Sequence, residues 1–590
     1  CGNTWWPYPP QHSQYTLSFV WLKKGKLAGK IKLILPMPRL SVPFLFVLLS
    51  LLSFQTVTRP GELPDLLLGQ ADSLLLKKDY AALEPLLQQA LHAAEKAADW
   101  LNYGRYAAKL AEGFIDQKRY DSAHRVLEQA WQQLKKSGNG NSKEGAMLWV
   151  WKAFAYRKEE QYKKNLEAYQ KAIAVFENIQ FKGSDLAYAY KNAAQSLQRF
   201  SNNRLAIAYL EAALENDPEG KNALSIYSQL VAGHLFLNNV DAAARYFEKG
   251  LTIKDRDPGY AASFSLNGAE LAFRQDKLPL ARRLALEALD YHLENPEKGD
   301  NRVRNFALLA KIAAREHRAN EAGVYFKKAE AAGKAFYAGK SREMALLYQE
   351  TGNFCQEQNR VGEALRYFQK ALIEVFPAFD DTTVAATPDG NDIPLEAQAM
   401  SAAAAKAGAL LRQKNVSRAD RLNAARCFDL AFSVAEKLRR TYGFDADKFD
   451  LASGNRQAYI EAALNWWTLF YQGESPSEML HHLLALQERT RAQALTDVLQ
   501  RQRALALTGI PDSLLQREES LRLDLAAFEK DIQNAGSQAN TAKLQQLKAN
   551  HFQRKREYEE LLAKLETDYP KFHEYTHAGQ IADLKSLQST

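Results

Sequence analysis

The sequence predicts an all-α protein: a right-handed superhelical solenoid of paired helices, followed by a long, coiled-coil-like helical hairpin. Three observations carry this. A phrase of aromatic, apolar and small residues recurs eight times at near-equal steps across residues 80–371, which marks a repeat array and not a single bundle. After residue 477 the pattern changes to apolar residues alternating by three and four in a heptad-like seam. A hydrophobic fraction of 46% with 25% charged residues excludes a wholly disordered chain. Three cysteines in 590 residues exclude a disulfide framework.

The net charge of +8 sits almost entirely at the front. Residues 1–60 hold Lys23, Lys24, Lys26, Lys30, Lys32, Arg39 and Arg59 with no acidic residue, so the remainder carries only +1. Met37 is followed by Arg39 and an apolar run from Leu40 to Phe54, the n-region and h-region of a secretory signal. Residues 37–58 therefore read as a signal peptide, with a short membrane anchor as the alternative; the run is shorter than the roughly 20 residues that span a bilayer. Residues 1–36 read as an upstream, non-native extension, with an acylated Cys1 as the other reading. The expected location is exported: periplasmic, cell-envelope or secreted. The near-neutral body removes the support that a basic protein would give to nucleic acid as partner.

The array is expected over residues 62–471. Its phrase reads Tyr80-Leu83-Leu87-Ala90, Tyr120-Ala123-Leu127-Ala130, Tyr162-Asn165-Tyr169-Ala172 and Asn203-Ala206-Leu210-Ala213. It continues as Val240-Ala243-Phe247-Gly250, Leu278-Ala281-Ala285-Ala288, Ala319-Ala322-Phe326-Ala329 and Val361-Ala364-Phe368-Ala371. Successive starts lie 40, 42, 41, 37, 38, 41 and 42 residues apart. Spacings of three and four place each phrase on one helix face. About nine residues upstream of each stands a small residue of a preceding helix: Ala71, Ala111, Ala153, Ala194, Val231, Ala269, Ala310 and Gly352. Small residues there let two antiparallel helices approach closely. The pattern resembles the tetratricopeptide repeat in a longer form of about 40 residues.

That resemblance implies a concave face built by the first helix of each unit, which binds a protein or peptide. By position, its outward candidates are Lys191, Gln195, Gln198, Asn267, Glu270, Lys311, Gln349, Asn353 and Gln356. An irregular, Pro-punctuated acidic loop interrupts the array at 377–394. Its aspartates, Asp380, Asp381, Asp389 and Asp392, lack the alternation and terminal Glu of a calcium loop. Ala424-Phe428-Ala431 reads as a ninth unit, and Tyr459–Tyr471 starts a tenth.

Residues 477–590 read as a helical hairpin linker. One helix is expected over MLHHLLALQERTRAQALTDVLQRQRAL, a second over about 512–532 and a third over about 541–567. The third carries a seam of Leu544, Leu547, His551, Arg554, Tyr558, Leu561 and Leu565. Glu488-Arg489-Thr490-Arg491-Ala492-Gln493-Ala494-Leu495, then Ile510-Pro511-x-x-Leu514-Leu515-x-x-Glu518, then Tyr558-x-x-Leu561-x-x-x-Leu565-x-x-x-Tyr569-Pro570 together resemble the segment that precedes the CHAT domain, the caspase-like domain associated with tetratricopeptide repeats. QKALIEVFPAFDD is similar to the last repeats of exported bacterial members. The resemblance implies a His/Cys peptidase-like domain beyond residue 590, after a final linker helix at Ile581–Gln588.

No catalytic site is expected in the chain itself. Cys355 and Cys427 fall at core positions and read as buried small hydrophobes. His481 and His482 are adjacent, about 100° apart on a helix, and poorly placed to share a metal. No Gly-rich phosphate loop or GxSxG occurs, and neither a cofactor nor a metal is expected. The function read from the sequence is an exported protein-interaction scaffold that presents a bound partner to a downstream domain. The alternative is the sensor portion of a membrane-linked signalling regulator, which requires about 20 apolar residues after the array.

Overall fold

The computed structural model describes residues 62–572 apart from 201, 255–257, 296–299, 391–392, 395, 440–450, 452–453, 455, 474, 491–504, 506–508 and 536–540. The expected signal segment, the residues Arg491–Leu495 and the final helix at 581–588 lie outside the described residues. Those described are mostly helical, with no strand among them. The chain divides into two compact units between Glu159 and Glu160.

The N-terminal unit holds α1 (Glu62–Leu76), α2 (Tyr80–Lys96), α3 (Trp100–Asp116), α4 (Tyr120–Lys136) and α5 (Lys143–Lys158). The C-terminal unit begins with α6 (Tyr162–Asn178), α7 (Ser184–Arg199), α8 (Asn203–Glu215), α9 (Ala223–Phe236) and α10 (Val240–Leu251). It continues with α11 (Pro258–Arg274), α12 (Leu278–Glu294), α13 (Asp300–Arg315), α14 (Ala319–Phe336), α15 (Arg342–Glu357) and α16 (Val361–Val375). Then come α17 (Ala397–Leu411), α18 (Arg418–Arg439), α19 (Arg456–Tyr471), α20 (Pro476–Thr490), α21 (Asp512–Ala535) and α22 (Thr541–Asp568).

Each residue that opens the recurring phrase is the first residue of a second helix, from Tyr80 of α2 to Val361 of α16. Two residues earlier the backbone turns left-handed in seven of these connections, at Lys78, Lys118, Glu160, Asn238, Asp276, His317 and Asn359, with φ between 55° and 60°. The turn closes the preceding helix by reaching back across it: in the α3–α4 connection Arg119 N–H donates to Phe114 O at 2.8 Å. None of these seven residues is glycine, so each connection carries about 1 kcal/mol of backbone strain that the packing of the following helix holds in place.

The packing explains the small residues. Ala71, Ala111, Ala153, Ala194, Ala269 and Ala310 are fully buried on first helices. Gly352 of α15 shows why bulk is excluded there, because a Cβ would lie 2.5 Å from Phe368 Cε1, and Phe368 itself is fully buried. Between α10 and α11 the arrangement is reciprocal. Phe247 and Phe264 stack at 4.7 Å, Gly250 lies under Phe264, and Gly268 lies under Phe247.

The loop at 377–394 is held by side-chain donors that satisfy its backbone carbonyls. Lys340 Nζ donates to the oxygens of Phe376, Pro377 and Phe379 at 2.8–2.9 Å. Gln369 donates to Asp381 O at 2.6 Å, and Asn423 donates to Val384 O at 3.3 Å. Lys406, with no exposed surface, donates to Gln369 Oε1 at 2.6 Å and to Ala386 O. Asp380 pairs with Lys340 at 2.9 Å, and Asp381 accepts from the Thr383 amide, while Asp392 lies outside the described residues.

Helices α21 and α22 pack as a hairpin around Leu521, Tyr558, Leu561, Leu565 and Phe572. Tyr558 also donates to the buried carboxylate of Glu518 at 2.8 Å. One seam residue is corrected. Arg554 is largely exposed and reaches Asp524 across the hairpin at 3.4 Å, while its neighbour Lys555 is buried. A charge that finds a partner at the rim leaves the seam, and the register shifts by one there.

Candidate functional site

In the C-terminal unit, consecutive first helices touch one another, from α7 through α9, α11 and α13 to α15 and α17. All nine of the partner-binding residues expected from sequence lie on these first helices. Most are joined to the next first helix. Glu270 of α11, Lys311 of α13 and Glu350 of α15 form a ladder in which the ammonium lies 3.2 and 3.1 Å from the two carboxylates. Burial would raise the Glu270 carboxyl, but Lys311 and Arg274 outweigh it and hold the group below its ordinary value. Burial works against the charged Lys311, and its two carboxylates override that and raise its pKa.

Asn267 is buried and donates to Ser228 Oγ at 2.8 Å and to Ser228 O at 2.9 Å, while accepting from Arg304 at 3.1 Å. Lys191 has 2% of its surface exposed. Its Nζ donates to Asn222 at 3.2 Å and lies over the rings of Tyr188 and Tyr260. Gln198 donates to Gln229 O at 3.3 Å, and Gln195 is half-buried. Gln349 donates to Ser401 at 2.7 Å and accepts from Gln398. The expectation that Lys191 and Asn267 point outward is therefore corrected: adjacent first helices lie close enough to enclose them, and each is held by the neighbouring unit.

Asn353 and Gln356 differ. Asn353 is exposed and Gln356 half-buried, and both line a cavity of about 440 Å³ between α15, α17 and α19. Its apolar walls include Met400, Ala404, Ala405 and Phe428. At one edge Arg412 pairs with Glu461 at 2.9 Å. Gly408 lets that guanidinium lie flat, because a Cβ there would stand 2.5 Å from Arg412 Nη1.

Two further features join distant parts of the unit and have no counterpart in the repeat phrase. Arg199, the last residue of α7, lies 3.3 Å from Glu396 and 3.8 Å from Glu343. Arg556 of α22 pairs with Glu177 of α6, and Glu177 also accepts from Tyr190 of α7. Burial raises the Tyr190 phenol, and the adjoining Glu177 carboxylate raises it further.

The residues with nucleophile or ligand chemistry do not assemble. Cys355 and Cys427 are buried free thiols, and burial pushes both up. His482 stacks on Trp466 at 3.7 Å, while His481 is exposed. Among the described residues no group of three His, Cys, Asp or Glu side chains could hold a metal, and no helix is long and apolar enough to cross a membrane.

No protein-family model matches the sequence, and no curated protein matches it. Several solved structures are similar in fold. RapI, in its apo form, shares 13% identity over 64% of this chain and 99% of its own, with a TM-score of 0.43. A human IFIT1 dimer with m7Gppp-AAAA shares 14% over 75% and 95%, also at 0.43. A tetratricopeptide repeat protein from Parabacteroides merdae shares 15% over 48% and 95%, at 0.36. With helix packed on helix through each of its two units, the described chain has an all-helical repeat fold.

Proposed function

We propose that the protein is a scaffold that binds an extended polypeptide on the first-helix face of its C-terminal unit. The observation that carries this is the cavity between α15, α17 and α19. Asn353 and Gln356 have no hydrogen-bond partner for their carboxamides among the described residues. Each carboxamide both donates and accepts, which suits a peptide backbone, and the apolar wall beneath suits one bulky side chain. Dodecapeptides with Leu, Phe, Gly or Lys at the central position, read by fluorescence polarisation against the full chain, test this. Leu and Phe peptides should bind, and Ala404→Trp, which fills the cavity, should abolish that binding. Undiminished binding by Ala404→Trp would sink the reading.

The finer reading is an exported repeat-and-linker portion of a CHAT-domain protein, presenting its partner to a peptidase-like domain. Its support is the likeness of the Ile510–Glu518 and Tyr558–Pro570 motifs, together with the n-region and h-region at 37–58. Intact mass of the protein from its own cells tests export, since a species retaining residues 1–58 in the envelope contradicts cleavage. The transcript beyond the codon for Thr590 tests the second part: a strand/helix-alternating domain with paired His and Cys supports it, and an immediate stop ends it.

A further inference from the structure

We propose that Arg199, Tyr162, Arg342, Glu343 and Glu396 form a latch that closes the row of first helices into a ring, and that a polypeptide reaches the inner face only when the latch opens. The ladder contacts on this face join residues 31–52 positions apart. Arg199 instead reaches 144 positions to Glu343 and 197 to Glu396. Successive contacts already run from α7 through α9, α11 and α13 to α15 and α17. A tie from the end of α7 to the start of α15 and the entry of α17 therefore closes the circuit.

The chemistry suits a tie that holds and releases. The Arg199 guanidinium sits 3.8 Å from the Tyr162 ring centroid, so the cation keeps a partner when its carboxylates leave. Arg342 shares the Glu396 carboxylate at 3.1 Å. The four charged side chains are 16–22% exposed, which places them between rim pairs of little strength and fully buried pairs. Arg199 Nε, Arg342 Nε and Glu396 Oε2 make no aligned hydrogen bond, and the pairs keep an exposed edge, so high salt screens them in part. The consequence for access rests on the polypeptide-binding role proposed above; the latch itself does not.

The test uses the full chain with Lys163→Cys and Leu346→Cys, both exposed sites, spin-labelled in a Cys1→Ser background. Cys355 and Cys427 are buried and escape labelling. Electron–electron distance measurement at about 0.1 M and about 1 M salt spans a Debye length of about 10 to about 3 Å. One narrow, short distance is expected at low salt, giving way to a longer, broader distribution at high salt. Arg199→Ala should show the open distribution at low salt, and Arg199→Lys should stay closed. If Arg199→Ala loses helicity by circular dichroism, Glu343→Gln/Glu396→Gln carries the same expectation. A distribution unchanged in every variant overturns the latch. The Leu and Phe dodecapeptides should associate several-fold faster with an open variant. Equal rates overturn the gate while leaving the distance result standing, and absence of peptide binding in all forms refutes the binding role instead.

Discussion

Replacing Lys311 with Met separates bracing from binding on the first-helix face. The substitution keeps the length of the stem and removes the cation that stands 3.2 Å from Glu270 and 3.1 Å from Glu350. The two carboxylates, on the first helices either side of α13, then lose the cation they share, and Glu270 is left with Arg274 alone at 3.2 Å. Breaking a fully buried pair costs about 3–5 kcal/mol, whereas an exposed pair contributes about 0–1. These side chains are 28%, 23% and 22% exposed, so about 2 kcal/mol is the expected loss. In a repeat array such a loss is local, which makes native-state hydrogen exchange the assay. Amides of α11, α13 and α15 should exchange about 30-fold faster, with α21 and α22 unaffected. The pH dependence fixes the cause. Glu270 is held below its unfolded value, so its contribution is full above about 4.5 and is lost as pH falls through the folded pKa. Lys311 is raised, so its contribution is present below about 10.5 and is lost as pH climbs through the folded value. The deficit of the variant should therefore be widest near neutrality and narrow at both extremes. A deficit that stays constant down to about pH 3, or no change in α11 and α15, would refute the ladder as the origin.

Four other substitutions probe the packing within the two units. Phe368→Ala, at a fully buried ring, should cost about 3–5 kcal/mol; in that background Gly352→Ala should become tolerable, since the ring its Cβ would strike is gone. A double-mutant cycle of urea midpoints checks the pair. Lys118→Gly relieves an exposed left-handed residue with φ 60°, and thermal melts should show a gain of up to about 1 kcal/mol after the unfolded-state entropy of glycine is counted. Lys406→Met leaves Gln369 Oε1 and Ala386 O without their donor and should admit proteolysis at 380–390. Burial lowers the Lys406 ammonium pKa against weaker opposition from Cys427 and Asp381. The wild type should therefore gain stability as pH climbs from that lowered value toward about 10.5, a rise the variant should lack.

The repeats were legible because their determinants are local. Residues three and four apart must share a helix face, so the phrases opened by Tyr80, Tyr120 and Tyr162 could be placed on one packed helix face from spacing alone, and Ala71 and Ala111 at close helix approaches from their size. The turns were less so. Lys118 and His317 adopt left-handed backbone without the glycine that would have advertised it. Polarity misled at Lys191 and Asn267, because phase on one helix says nothing of how closely the next first helix approaches. The ties of Arg199 to Glu396 and of Arg556 to Glu177 had no sequence signal, since partners 197 and 379 positions apart share no period.

The nine expected binding residues sort by the register of the helix that follows them. Where the next first helix begins about 40 residues on, a polar residue meets a polar partner, as Glu270 meets Lys311 and Asn267 meets Arg304. The loop at 377–394 lengthens the next step: Gln349 finds Ser401, 52 positions away. Carried along the same helices, that offset sets Asn353 opposite Ala405 and Gln356 opposite Gly408, and both small residues line the cavity. Neither offers a side-chain hydrogen bond, so the two carboxamides are left over and the missing bulk becomes the hollow. The irregular loop, pinned by Lys340, Gln369 and Lys406, thus does more than join two helices. It breaks the register that elsewhere turns the first-helix face into a brace, and it does so at the place where the proposed peptide would be taken up.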